Sequence, residues 1–194
     1  MSAKFRTIIS NGVHTVGCTG QTVVVFDAEG NELARFRDLK YAYTARFSPD
    51  GTKLVVKSAE GRLAVYSLES MSLLKKFRFS KVNYAQNDGC CFSEDGKEFI
   101  NVERYPDDLH SVVSWYDAET FDRVHTLTPD DLTMIYNVKP YNGQIYALGF
   151  ERDPATRVAD RNFIGILKKT GIVSRREIPE TETFFPPATP DLNI

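Results

Sequence analysis

The 194-residue chain sets 24 basic against 26 acidic residues, a net charge of -2, with 42% apolar and 26% charged side chains, the mixture of one ordinary globular domain. Without a basic surplus nothing draws it to nucleic acid or an anionic membrane, so neither is expected as a partner. The opening MSAKFRTIISNGVHTVG lacks the unbroken apolar core of a secretion signal, and no later run reaches the ~20 apolar residues of a membrane span, so a cytoplasmic location is expected.

Residues 3–39 read as two hairpins: an apolar stretch ending in TIISNG, a short turn CTGQT, then TVVVFDAEGNELARF as strand, turn and strand. The same grammar returns over 40–80 with ARFSPDGTKLVV, SAEGR and RLAVYSLESMSLLKKF. Over 81–128 it is CCFSEDGKEFI, RYPDDLHS and SVVSWYDAETFDRVHTL, and over 129–179 it is VKPYNG, ERDPATRVADRN and FIGILKKTGIVSRREI. The glycines closing the first turns, Gly12, Gly51, Gly96 and Gly143, are spaced by 39, 45 and 47 residues. A period of about 40 to 50 residues points to a propeller or solenoid. Asn-Gly and Asp-Gly tolerate the positive φ that tight hairpin turns impose.

A second register agrees with the first, because Phe26, Tyr66, Tyr116 and Leu167 fall at one aligned position in the third strand of each repeat. Apolar neighbours such as Val23 to Phe26 and Leu63 to Tyr66 predict sheets covered on both faces. Leu68, Met71, Leu74 and Lys75 also suit an amphipathic helix, but the aligned DAEGNELARF and DAETFDRVHTL are strand-like with turn residues, and strands are expected. The last strands are basic (Arg35, Arg37; Lys75, Lys76, Arg78; Arg175, Arg176), as suits an outer sheet edge that must not pair with other chains.

These residues resemble the WD40-like and YVTN-like β-propeller families, in which an FSPDG turn follows the innermost strand and an aromatic-Asp pair ends the third. The corresponding pairs are Phe26-Asp27, Tyr66-Ser67, Tyr116-Asp117 and Leu167-Lys168, of which two keep both members. The Gly-His pair of true WD40 repeats is missing, so that family's buried His and Asp network does not carry over. The resemblance implies an all-β, propeller-like domain over residues 1–180, built of four four-stranded antiparallel blades. Such blades form a closed four-bladed ring, half of an eight-bladed ring completed by a second chain, or part of a longer ring. Residues 181–194, TETFFPPATPDLNI, read as a tail in which Phe184 and Phe185 either cover a terminal blade of their own chain or clasp a second protomer.

Sequence signatures of catalysis are absent: no GxSxG, HExxH, Walker A or GxGxxG stretch occurs. His14, His110 and His125 lack ligand spacing, and Cys18, Cys90 and Cys91 make neither a CxxC pair nor an even set. No catalytic residue, metal or cofactor is therefore expected. In a propeller the second turns and the inter-blade links share one face. That face would gather Tyr105, Asp107, Asp108 and His110 from blade 3, Arg152, Asp153, Arg157, Asp160 and Arg161 from blade 4, and Tyr41, Tyr43 and Tyr84 from the links. Tyr and Arg are enriched at binding hot spots, although the tyrosines also suit packing between blades and the charges a solvated excursion. The lone Trp115 suits inter-blade packing or, alternatively, a sugar-stacking platform. The expectation is a non-enzymatic scaffold that binds or assembles with a protein or peptide, a homodimer being one form. The alternative is a small-molecule hydrolase or lyase with carboxylates of perturbed pKa at the ring centre.

Overall fold

The computed structural model describes residues 5–77, 89–104 and 110–179. Its strands form four antiparallel sheets, each paired in simple sequence order. Blade 1 holds β1 (Thr7–Ser10), β2 (Thr15–Cys18), β3 (Val23–Phe26) and β4 (Glu32–Phe36), and blade 2 holds β5 (Ala42–Phe47), β6 (Lys53–Ser58), β7 (Leu63–Ser67) and β8 (Ser72–Lys76). Blade 3 holds β9 (Cys90–Phe92), β10 (Glu98–Arg104), β11 (Ser111–Asp117) and β12 (Arg123–Leu127). Blade 4 holds β13 (Thr133–Tyr141), β14 (Gln144–Arg152), β15 (Ala159–Lys168) and β16 (Gly171–Glu177). The segment that also suits a helix is β8, entered through Met71 at φ 48°.

All four marker glycines have φ between 69° and 88°, the conformation these turns demand. Three of them also meet the preceding blade. A Cβ on Gly51 would lie 3.4 Å from Asn11 Nδ2, one on Gly96 would lie 3.6 Å from Pro49, and the Gly143 amide donates to the Glu94 carboxylate at 2.6 Å. Turn stacks on turn, which is why the period survives changes in loop length. A register shift precedes the aligned aromatic in blades 1 to 3, at Val25/Phe26, Val65/Tyr66 and Trp115/Tyr116, and recurs between Ile164 and Ile166 in blade 4. Such bulges increase twist and bend the outer strand.

Three cores fill the seams between sheets. Val16, Val23, Val25 and Phe36 of blade 1 meet Leu54, Val56, Ala64 and Tyr66 of blade 2. Val55, Leu63 and Val65 meet Phe92, Phe99, Tyr116 and Phe121 of blade 3. Ile100, Val113 and Trp115 meet Ile135, Val138, Ala147 and Leu167 of blade 4. Each inner sheet is thus buried on both faces, whereas the fourth strands are mostly exposed and their cations find partners within the blade, as in Arg35 with Glu32 and Arg175 with Glu151, or on the next blade, as in Lys75 with Asp122. Trp115 is buried against His125 at 5.3 Å between ring centroids, which fits packing and leaves no face for a sugar.

The sheets stack in chain order, blade 1 on blade 2, blade 2 on blade 3 and blade 3 on blade 4, and are not closed. The closed four-bladed ring is therefore not adopted. No helix among the described residues is long and apolar enough to cross a membrane.

Candidate interaction surfaces

On the face shared by second turns and links, blades 1 and 2 are tied by a β-bridge between Gly20 and Ala42. Beside it Thr7 Oγ1 donates to the Tyr43 carbonyl at 2.5 Å, and the Ala59 amide donates to the Tyr41 carbonyl at 2.8 Å. These bonds shape a cleft of about 290 Å³ lined by Arg6, Gly20, Tyr41, Ala42, Tyr43, Ala59 and Glu60. Tyr41 holds φ 57° with 57% of its surface exposed, while Ala42 is buried behind it. Glu60 lies 3.3 Å from Arg62 and its side chain is 17% exposed, whereas Arg6 forms no ion pair among the described residues.

Elsewhere on this face, loop residues are occupied by their own chain. Asp153 accepts from the amides of Ala155 at 3.0 Å and Thr156 at 2.7 Å, bonds that hold its carboxyl below the ordinary value. Arg157, at φ 60°, closes that turn by donating its amide to the Asp153 carbonyl at 2.8 Å. Arg152 is the buried end of β14, so the expected long loop is short. Asp160 and Arg161 belong to β15, where Arg161 pairs with Asp160 at 3.2 Å and with Glu151 at 3.1 Å. His110 is half-buried just before β11. None of these blade 4 residues lines the Tyr41 cleft. Tyr84, Tyr105, Asp107, Asp108, Phe184, Phe185 and the tail 181–194 lie outside the described residues.

The opposite face carries a second cleft of about 390 Å³ between the turns of blades 2 and 3, with Asp50, Lys53, Asp95, Lys97, Asp117 and Glu119 among its walls. Its aspartates are turn caps. Ser48 Oγ donates to Asp50 at 2.5 Å, Ser93 Oγ to Asp95 at 2.7 Å, and the Thr120 amide to Asp117 at 2.8 Å, each bond helping hold a carboxyl below the ordinary value. Every resolved carboxylate shift among the described residues is downward, the reverse of a general acid's. Burial pushes the Cys18 thiol up to about 12 and raises Cys91 too, so both sit as protonated core groups. No group of three or more His, Cys, Asp or Glu among the described residues is arranged to hold a metal.

The terminal sheets offer surfaces of a different kind. Along β14, Ala147 faces blade 3 while Tyr146 and Leu148 face away. On that outward face Leu148, Ile164 and Ile178 cluster, flanked by Tyr136 and Tyr146. On blade 1, Ile8 stands opposite Gly17 and Gly17 opposite Val24. Phe5 covers Gly17, where a Cβ would fall 2.4 Å from its ring, and Ile8 stays exposed.

Reading the sequence finds Tyr41 and Tyr43 but misses Arg6, Gly20 and Glu60, whose shared signal is only that each lies at a strand start or second turn. It also misses a buried polar group in the seam between blades 2 and 3. Lys57 Nζ donates to the Val102 carbonyl at 2.7 Å and the Gly89 carbonyl at 3.3 Å, while Glu103 accepts from the Tyr116 hydroxyl at 3.0 Å. Asn101 and Ser114, directly opposite each other, are buried beside them with no hydrogen-bond partner for their side chains.

No protein-family model matches the chain, and no curated protein sequence matches it significantly. Solved structures do match. The likeness to a eukaryotic initiation factor has a TM-score of 0.58 at 15% identity and covers 93% of this chain and 46% of that one. That to the dihydro-heme d1 dehydrogenase NirN, a propeller-type protein solved in complex with DHE, has a TM-score of 0.62 at 14% identity and covers 93% of this chain and 47% of that one. The chain thus spans a little under half the length of these structures. With 858 solved chains matching significantly, the likeness identifies a propeller-like architecture and selects no activity.

Proposed function

We propose that the chain is a non-enzymatic binding and assembly module of WD40-like blades, which works in the cytoplasm and whose terminal sheets pair with those of a second copy. The observation that carries this reading is the open stack, in which no blade follows blade 4: the Leu148, Ile164 and Ile178 cluster on its far side is buried within the chain, yet no other sheet lies against it. Every inner seam buries an apolar sheet face against the next sheet. Laying blade 4 on blade 1 of a partner, and the partner's blade 4 on blade 1, repeats that packing and leaves no open sheet face. This chain spans 46% and 47% of the two matched structures, so a pair of copies has about their length. Protein or peptide partners would then meet the face of second turns and links.

Light scattering after size exclusion tests the assembly. The expected mass is twice 21.9 kDa, returning to 21.9 kDa in an Ile164→Asp variant that keeps its circular dichroism spectrum. A mass of 21.9 kDa for the unaltered chain at every concentration would sink the pairing. Deletion of 181–194 separates the two roles of the tail: loss of the pair assigns Phe184 and Phe185 to the clasp, and an unchanged mass removes them from it.

A further inference from the structure

The cleft between blades 1 and 2 combines three features that internal packing leaves unused. Arg6 is an exposed cation without an ion pair among the described residues, although a carboxylate, Glu60, lines the same cleft. Glu60 is already compensated by Arg62 at 3.3 Å, so the charge left open in the cleft is positive. Gly20 lies against it at φ 91°, a backbone that suits glycine, and brings the turn to ordinary contact distance of the arginine: a Cβ there would lie 3.4 Å from Arg6 Nε.

The second feature is Tyr41. A residue at φ 57° in a link is ordinarily Gly or Asn, because a side chain is strained there. Here a tyrosine takes the strain and leaves 57% of its surface in solvent, with Tyr43 two residues on in the same wall. Phe121 takes a similar φ of 55° but is buried in a core, whereas at Tyr41 the same backbone presents the ring to solvent beside the cleft, where an aromatic can serve recognition. The third feature is size. At about 290 Å³ the cleft sits at the small end of ligand sites, which run from roughly 300 to 1,000 Å³. It accepts a side chain or a chain end. One guanidinium with two phenols matches a monovalent carboxylate, and a lone cation is far from what a nucleic-acid backbone requires.

We infer that this cleft docks an extended peptide through a carboxylate, placed on Arg6 between the rings of Tyr41 and Tyr43. The inference deepens the binding half of the proposed function and rests on it, but it is independent of the pairing of terminal sheets. The carboxylate comes either from an Asp or Glu side chain or from a chain terminus.

An array of immobilised random decapeptides tests it, in three forms: Asp- and Glu-containing with amidated ends, Asn- and Gln-containing with amidated ends, and Asn- and Gln-containing with free C-termini. Retention of the first form alone assigns a side-chain carboxylate, and retention of the third alone assigns a terminal one. Arg6→Gln is expected to weaken the retained peptides about tenfold or more, and Tyr41→Gly, which suits the backbone, by a similar factor. Lys97→Gln on the opposite face leaves retention unchanged. Equal retention of the neutral amidated form, or retention insensitive to Arg6→Gln in a variant with unaltered melting, overturns the carboxylate while leaving peptide binding intact. No retention of any form overturns the binding reading as well, and light scattering on the same samples reports the pairing separately.

Discussion

Tyr66 and Tyr116 occupy the same place in consecutive blades, each just past a bulge and opposite the second strand, at Leu54 and Phe99 respectively. Both are buried, and desolvation raises the pKa of both phenols. Their hydroxyls fare differently. Tyr66 stacks on Phe36 with centroids 4.1 Å apart, and its hydroxyl has no partner. Tyr116 donates to Glu103 at 3.0 Å and accepts from Arg123 at 3.2 Å. The next pair inward repeats the contrast, with Val56 opposite Ala64 in blade 2 and Asn101 opposite Ser114 in blade 3. Strand register decides which residues face the seam, and the opposite wall decides what chemistry they can hold.

The largest expected effect in this comparison is Tyr116→Ala, at about 3–5 kcal/mol in urea unfolding for the cavity alone, with Glu103 also stripped of a donor. An equal loss in Tyr66→Ala would show that the polar contacts add nothing. Removing only the hydroxyls sharpens the test. Tyr116→Phe is expected to lose about 1–2 kcal/mol, and Tyr66→Phe to be neutral or slightly stabilising. The reverse order would break the comparison. Giving blade 3 the pair of blade 2, as Asn101→Val with Ser114→Ala, should add about 1–2 kcal/mol by removing buried groups without partners. Destabilisation instead would point to a bound water satisfying them in solution.

pH gives the smallest and broadest effects. The phenols are raised above 10.0, so above that pH the unfolded chain ionises first and stability falls with rising pH, less steeply in the double variant Tyr66→Phe with Tyr116→Phe. The turn-cap aspartates act with opposite sign. Held below 3.8 in the folded chain, Asp117 and Asp153 contribute stability above that value, and it is lost as pH falls through their folded pKa. Asp153→Asn should lower the neutral plateau of a thermal-melting series slightly and flatten its acid limb, so that the two curves converge at low pH.

The blades were legible because their signals are local. Gly12, Gly51, Gly96 and Gly143 mark turns by a backbone requirement, and the apolar run before each aligned aromatic marks a doubly covered strand. Closure was not legible, because it depends on a small rotation at each seam that no residue type encodes. The cleft was half legible: Tyr41 and Tyr43 stand out in a link, but Arg6 and Glu60 meet only through the pairing of separate blades. In the blade 4 loop the sequence shows composition and the structure adds the contacts. Asp153 and Arg161 have the composition of a recognition loop, yet one caps its own turn and the other pairs within its own sheet.

Two ion pairs cross successive seams at one repeat position with their signs exchanged. Lys53, two residues after Gly51, reaches Glu119 in the third turn of blade 3, while Glu98, two residues after Gly96, reaches Lys169 in the third turn of blade 4. Exposed pairs of this kind add little stability. They act instead as an address. Were blade 2 to dock directly on blade 4, Lys53 would meet Lys169, and a blade 3 stacked on another blade 3 would set Glu98 against Glu119. Those two mispairings would set like charges together, a bias against shuffled assembly that the shared backbone geometry of the repeats cannot supply.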